Sequence, residues 1–106
     1  MSFKVRLTRE AEADLERLFD FVLERELSRE GGGDLELAEH ALAALHAGIA
    51  TLQTSPFTCR KAGPSPFLRE LVIPFGRSGY AALFEIEDAA NVTIVAVRHQ
   101  LERDYH

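Results

Sequence analysis

The stretch FLRELVIPFGRSGYAALFEIEDAANVTIVAVRH (residues 67–99) decides the fold of this protein. It holds three runs rich in β-branched and aromatic residues, which are FLRELVIPF (67–75), YAALFEIED (80–88) and VTIVAVRH (92–99). The connecting segments have the residue types and lengths of hairpin turns, and they are GRSG (76–79) and DAAN (88–91). The stretch therefore predicts three consecutive antiparallel strands.

Two amphipathic helices are predicted upstream of these strands. Thr8 has the position of an N-cap. The first apolar stripe, at three- and four-residue spacing, consists of Ala11, Leu15, Leu18, Phe19 and Val22. Residues 31–33 are all glycine and allow a chain reversal, after which Asp34 is expected to cap a second helix that ends before Pro56. The second stripe consists of Ala38, Ala41, Leu42, Leu45, Ile49 and Leu52. Together the two helices predict a helical hairpin.

The remaining segments complete the predicted architecture. FKVRL (3–7) alternates apolar and basic residues, as in a strand with one buried face. Residues 55–66 hold three of the four prolines and predict a loop. The order β-αα-βββ predicts an α+β fold, with an antiparallel sheet and the helical hairpin packed on one face. The first strand joins that sheet beside a neighbour that the sequence does not specify. We assign residues 1–106 to one domain.

The composition excludes several classes of protein. The chain is 46% hydrophobic and 27% charged, as in ordinary globular proteins. No apolar run approaches the ~18 to 20 residues that span a membrane, and the N-terminus lacks the apolar stretch of a signal peptide. Cys59 is the one cysteine, so no internal disulfide forms and the cytoplasm is the expected compartment. No Cys or His pair has ligand spacing, so we expect neither a metal nor another cofactor.

The distribution of charge differs between the two halves of the chain. The net charge of −5 argues against a nucleic-acid-binding protein. Residues 1–54 carry eleven acidic side chains against six basic ones, whereas residues 55–106 carry six of each. A locally basic site in the second half therefore stays compatible with the net charge.

The chain carries the short motifs K-V-R-L-T (4–8), an acidic E-A-E-A-D-L helix (10–15), an S-G-Y turn (78–80), an R-H strand end (98–99) and an E-R-D-Y tail (102–105). In this order and spacing, these motifs resemble the RelE/ParE superfamily of bacterial type II toxins. The resemblance covers essentially the whole chain. It implies a toxin that is encoded beside a small antitoxin, whose C-terminal segment binds along the sheet and helices.

The superfamily has two branches with different mechanisms. The resemblance implies either cleavage of mRNA in the ribosomal A site, as by RelE-like members, or action on DNA gyrase without hydrolysis, as by ParE-like members. Metal-free RNA cleavage needs a base, fixed cations and an acid. If the chain is an endoribonuclease, the resemblance implies Arg98, His99 and Tyr105 as catalytic residues, with Arg69 as a further cation.

Other positions depart from the nuclease pattern. Ala81 stands where RelE-like nucleases commonly have an arginine, and neither Lys4 nor Lys61 lies on the strand that supplies their lysines. Losing one charge-stabilising donor costs about 10²–10³ in rate. We therefore favour ParE-like inhibition of gyrase, with a ribosome-dependent endoribonuclease and a non-toxic antitoxin-binding module as alternatives. A pair such as Glu85 with His99 would form a different active site.

The predicted surface for the target or the antitoxin is basic. It consists of Arg69, Arg77, Arg98, His99 and Arg103. Because side chains alternate along a strand, Arg98 and His99 are expected on opposite faces. Tyr105 is expected to be an aromatic anchor rather than a positioned acid, since it lies next to the last residue. The alanine-rich run ALAALHAGIA (41–50) allows another helix to approach closely, so a homodimer is an open alternative.

Overall fold

The computed structural model describes residues 2–102 and Tyr105. The helices and strands are β1 (Lys4–Leu7), α1 (Arg9–Leu27), α2 (Glu36–Ala50), β2 (Arg60–Lys61), β3 (Leu68–Phe75), β4 (Ser78–Ile86) and β5 (Asn91–His99). Two short 3-10 turns, Thr51–Gln53 and Pro56–Thr58, follow α2. The predicted α+β class and the helical hairpin are confirmed.

The five strands form one sheet in the order β1-β5-β4-β3-β2. β3, β4 and β5 are antiparallel neighbours, as predicted. β1 pairs with β5 in parallel, so the sheet is mixed. The predicted sheet was antiparallel, and the observed sheet differs from it at this pair. A parallel pair needs a long connection, and here both helices and the other strands provide it. β2 is a two-residue strand inside the segment predicted as a loop, and its Arg60 pairs with Glu70 of β3.

The starts of the two helices differ in their caps. The Oγ1 atom of Thr8 accepts a hydrogen bond from the N–H of Ala11 (3.2 Å), which confirms it as the N-cap of α1. Asp34 is not the N-cap of α2, because that position belongs to Leu35, which has no side-chain cap. The carboxylate of Asp34 instead accepts from the N–H of Glu36 (3.0 Å), two residues further on, so it forms an Asx-type turn before the helix.

A buried carboxylate fixes the reversal between the helices. Glu26, near the end of α1, is 1% exposed and accepts hydrogen bonds from the N–H of Asp34 (3.0 Å) and from Arg29 (3.2 Å). A Cβ atom on Gly33 would lie 2.4 Å from the carbonyl oxygen of Glu26, so only glycine fits there. The glycine-rich loop is therefore closed by a specific contact as well as by backbone freedom.

The core lies between the helical hairpin and one face of the sheet. Its largest members include Leu18, Leu45, Leu52, Phe84, Ile94 and Val97. Tyr80 and Phe84, four residues apart on β4, are both buried there. In the part of the chain that the structure describes, no helix is long and apolar enough to cross a membrane.

Candidate functional site

The end of β5 separates the predicted catalytic residues between the two faces of the sheet. Arg98 is paired with Ala81 and lies on the face that the helices leave open. His99 is paired with Tyr80 and lies on the helix side, where its ring meets the edge of the Tyr80 ring at 5.6 Å. The structure therefore brings Arg98 and Tyr105 together but keeps His99 apart from them, as the alternation predicts.

Four residues on the open face form what we call the open-face cluster: Arg60, Glu70, Arg98 and Tyr105. Oε1 of Glu70 accepts from Nε of Arg60 (2.7 Å) and is ion-paired with the same guanidinium. Oε2 of Glu70 accepts from Nη2 of Arg98 (3.4 Å) and from the hydroxyl of Tyr105. The guanidinium carbon of Arg98 lies 4.9 Å from the centre of the Tyr105 ring. A single carboxylate thus joins β2, β5 and the C-terminal tail.

Arg98 is also occupied by the backbone of the tail. Its Nη1 atom donates to the carbonyl oxygens of His99 (3.2 Å), Gln100 (3.2 Å) and Glu102 (2.6 Å). The side chain is 14% exposed. The tail is folded around this guanidinium, so Arg98 holds local structure together.

The protonation states in the open-face cluster oppose proton transfer. Burial raises the pKa of Tyr105 well above its usual value, and the hydrogen bond to Glu70 and the negative charge of Glu70 raise it further. Burial also raises the pKa of Glu70, but hydrogen bonds from Tyr105 and Arg60 and the charges of Arg60 and Arg98 outweigh it, so this pKa lies below its usual value. The cluster is an ion-paired arrangement with a firmly held phenolic proton.

His99 has a defined tautomer on the other face. The N–H of Leu101 donates to Nδ1 (3.1 Å), so that nitrogen carries no proton. Nε2 therefore carries the proton and donates to Oγ of Ser78, 3.0 Å away. A serine that accepts from the histidine is not activated as a nucleophile. The contact between Ser78 and His99 thus joins the start of β4 to the end of β5, at the end of the hairpin away from its turn.

The alternative active site made of Glu85 and His99 is wrong. Glu85 pairs with Thr93, whereas His99 pairs with Tyr80, five residues away along β4. At ~3.3 Å per residue the two positions are roughly 16 Å apart along the strand, and they belong to opposite faces.

A groove lies on the helix side, between the second half of α1 and the β3–β4 turn. Its volume is about 840 Å³. The apolar lining comes from Leu18, Phe21, Val22, Leu37, Phe75, Tyr80 and Leu101. Two of these side chains are largely open to solvent, since Phe21 is 60% exposed and Leu101 is 80% exposed. The groove therefore presents large hydrophobic side chains to solvent, as binding sites for protein segments do.

The rim of the groove is basic. Four arginines line it, Arg17, Arg25, Arg29 and Arg77, against the two glutamates Glu26 and Glu102. Glu102 accepts hydrogen bonds from Arg17 (3.1 Å) and from the N–H of His99 (3.1 Å), which links α1 to the end of β5. The local excess of positive charge contrasts with the net charge of −5 of the whole chain. The groove is thus suited to an acidic, amphipathic segment.

The predicted basic surface does not form one patch. Arg69 donates to the carbonyl oxygens of Phe57 (3.0 Å), Cys59 (2.8 Å) and Pro66 (2.7 Å), so it ties the 55–66 loop to the sheet. Arg77 is exposed in the β3–β4 turn on the groove rim. Arg103 lies outside the described residues.

The described residues offer no metal site and no activated thiol. Among them, no three His, Cys, Asp or Glu side chains are grouped to hold a metal ion. Cys59 is partly buried, and burial raises the pKa of its thiol, which disfavours the reactive thiolate.

Sequence reasoning missed Glu70 and the arginines of α1 as members of these sites. Glu70 was not singled out because its role depends on register with Arg60 and on the return of the tail. For α1 a signal was present, since Phe21 is an aromatic residue outside the apolar stripe of the helix. Exposed apolar side chains indicate a surface that another molecule can cover when they form a contiguous patch, as Phe21 does with the apolar lining of the groove.

Comparisons with known proteins agree with this architecture. The family model "ParE toxin of type II toxin-antitoxin system, parDE" matches residues 5–104. A solved structure of the chromosomal ParDE toxin–antitoxin system from P. aeruginosa contains a chain of similar fold, with a TM-score of 0.67 and 20% sequence identity. That match covers 92% of this chain and 96% of the other. No curated protein matched the sequence. The chain belongs to the ParE toxin family of type II toxin–antitoxin systems.

Proposed function

We propose that this protein is a cytoplasmic toxin that inhibits DNA gyrase by binding it, and that a small antitoxin neutralises it. Family membership supports the toxin role. The observation that favours binding over RNA cleavage is the open-face cluster, in which Glu70 engages both Arg98 and the hydroxyl of Tyr105. These are two of the three residues that an endoribonuclease would need free.

The chemistry of RNA cleavage explains why the contacts of Glu70 with Arg98 and Tyr105 disfavour an endoribonuclease. A fixed cation must stabilise the negative charge that develops on the phosphate, and a group with a pKa near neutrality must move the proton. The charge of Arg98 faces a carboxylate. The pKa of Tyr105 is raised far from neutrality. His99 lies on the opposite face and uses both ring nitrogens in hydrogen bonds. The carboxylate of Glu70 is the remaining candidate base in the open-face cluster, but Arg60, Arg98 and Tyr105 donate to its oxygens and hold its pKa below the usual value, which makes it a weak base.

The groove supports the antitoxin part of the proposal. An amphipathic helix binds a groove of this kind by inserting apolar side chains at helical spacing. Phe21 and Leu101 offer exposed apolar contacts, and Arg77 lies on the rim. We infer that an antitoxin segment with an apolar stripe and flanking carboxylates binds between α1 and the β3–β4 turn.

A pair of assays tests the mechanism. Purified protein is added to a gyrase supercoiling reaction and, separately, to ribosomes that hold a defined mRNA. We expect loss of supercoiling with the mRNA intact, and we expect the product of the neighbouring short reading frame to restore supercoiling. Codon-specific cuts in the mRNA together with normal supercoiling would reject the gyrase mechanism in favour of the endoribonuclease.

Two further experiments address the alternatives. The double variant His99→Ala, Tyr105→Phe should remain toxic when produced without antitoxin, because neither side chain acts in catalysis. Loss of toxicity with the fold intact, measured by circular dichroism, and with gyrase inhibition by the purified variant retained would favour the endoribonuclease. Normal growth on induction of the wild-type protein without antitoxin would favour the non-toxic antitoxin-binding module. A homodimer through α2 stays a prediction, which a light-scattering measurement of the molar mass in solution tests.

A further inference from the structure

Three donors from separate segments converge on the carboxylate of Glu70. Arg60 comes from β2, Arg98 from β5 and the Tyr105 hydroxyl from the tail. Two guanidinium groups and a hydroxyl around one point are the donors with which proteins bind carboxylate and phosphate groups. Glu70 therefore occupies a site of the kind that takes an external oxyanion.

The position of the cluster would admit such a ligand. The cluster lies on the sheet face opposite the helical hairpin, and Ala81, paired with Arg98, has no side chain beyond a methyl group to obstruct it. The Arg60 side chain is 62% exposed, so the site reaches solvent at the β2 edge. With two guanidinium groups against one carboxylate, the cluster keeps an excess of positive charge.

Glu70 satisfies these donors incompletely. Its contact with Nη2 of Arg98 is 3.4 Å, longer than the ~2.7–2.9 Å of a charge-assisted hydrogen bond. Nε of Arg98 is buried and has no acceptor among the residues that the structure describes. A phosphate group has more acceptor oxygens than a carboxylate, so it matches this donor set better.

We propose that Arg60, Arg98 and Tyr105 form a phosphate-binding site that Glu70 occupies as an internal ligand. In the wild-type protein the Glu70 carboxylate excludes phosphate groups from the open face. The site becomes available when that carboxylate is removed. This site lies on the face of the sheet opposite the groove.

Calorimetric titration with inorganic phosphate tests the proposal. The Glu70→Ala variant should bind phosphate at least about tenfold more tightly than the wild type, the scale of a charge-assisted hydrogen bond. The matched control is Glu85→Ala, which removes the same charge from an exposed position on β4 and should bind phosphate as the wild type does. Adding Arg98→Ala to Glu70→Ala should abolish the gain.

Three results would overturn the proposal. They are phosphate binding by the wild type as tight as by Glu70→Ala, an equal gain in Glu85→Ala, and a gain that survives Arg98→Ala. If Glu70→Ala does not fold, Glu70→Gln provides the same comparison against Glu85→Gln, with a smaller gain expected because the amide still fills the site. A further titration with a short single-stranded RNA identifies the source of the phosphate. Tighter binding of RNA than of inorganic phosphate indicates a nucleic-acid backbone, and equal or weaker binding indicates a free phosphate.

Discussion

The carboxylate of Asp14 accepts a hydrogen bond from the backbone N–H of Val97, 2.9 Å away, and so joins α1 to β5. β1 ends at Leu7, which is paired with Ile94, so Val97 lies beyond the end of that neighbouring strand. Asp14 is buried and takes the place of a strand partner at this point. A backbone donor that the sheet leaves unpaired is thus satisfied by a helix side chain.

Replacing Asp14 by Ala should destabilise the fold. The substitution leaves the buried N–H of Val97 without this acceptor, which lowers the free energy of unfolding by about 1–3 kcal/mol. Urea denaturation measures the change. The control is Asp20→Ala, at an exposed position of the same helix, for which a change within about 0.5 kcal/mol is expected. Equal effects of the two substitutions would contradict the role given to Asp14.

Replacing Glu26 by Gln should loosen the helical hairpin and alter the acid stability of the protein. The hydrogen bond from the N–H of Asp34, together with Arg29 and Arg25, outweighs desolvation and holds the pKa of Glu26 below its usual value. The carboxylate therefore contributes stability above the pKa of an unfolded glutamate, about 4.3, and loses it as the pH falls through the lower folded pKa.

The wild type should thus lose stability more steeply in acid than Glu26→Gln. Unfolding free energies measured from pH 6 downward check this expectation. Glu24→Gln, an exposed neighbour on α1, should follow the wild-type curve. Other carboxylates with lowered pKa values, such as Glu87 and Glu102, are common to all three proteins.

Replacing Tyr105 by Phe should reduce the loss of stability in alkali. The pKa of Tyr105 is raised in the fold, so the unfolded chain releases this proton first as the pH rises above about 10, and stability falls. The Phe variant lacks this proton and should show a shallower fall. At neutral pH it should lose about 1 kcal/mol with the hydrogen bond to Glu70. Parallel pH curves for the two proteins would contradict the contact.

Replacing Phe21 by Ala should weaken antitoxin binding without weakening the fold. Phe21 is 60% exposed, so the unfolding free energy should change by no more than about 0.5 kcal/mol. If its ring anchors the antitoxin segment, affinity should fall about tenfold or more. Calorimetry with the product of the neighbouring reading frame measures this. The control is Phe67→Ala, which removes an aromatic ring that is 51% exposed and lies outside the groove, and this variant should bind normally.

Reversing the charge of Arg77 should slow association with an acidic antitoxin. Arg77→Glu places a negative charge on the groove rim, and the association rate should fall at low salt and approach the wild-type rate at high salt. Stopped-flow measurements at two ionic strengths show the difference. Lys61→Glu makes the same change on β2, at the edge of the sheet and outside the groove lining, and should have a smaller effect. A larger effect for Lys61→Glu would shift the binding surface to that edge.

The sequence by itself determined both helices and four of the five strands, in their order. The β-branched and aromatic runs with hairpin turns in residues 67–99 and the apolar stripes at helical spacing are local features, which depend on neighbouring residues alone. The N-cap at Thr8 and the separation of Arg98 from His99 followed for the same reason. These features need no knowledge of distant parts of the chain.

The tertiary structure alone decided which distant groups meet. The parallel pairing of β1 with β5, the contact between Glu70 and Tyr105, and the arginine-rimmed groove all join segments far apart in sequence. Such contacts depend on strand register and on how α1 crosses the sheet, and a one-residue shift of register would turn Glu70 to the other face. That is why reactive residues at the end of β5 were visible in the sequence while the carboxylate that engages two of them was not.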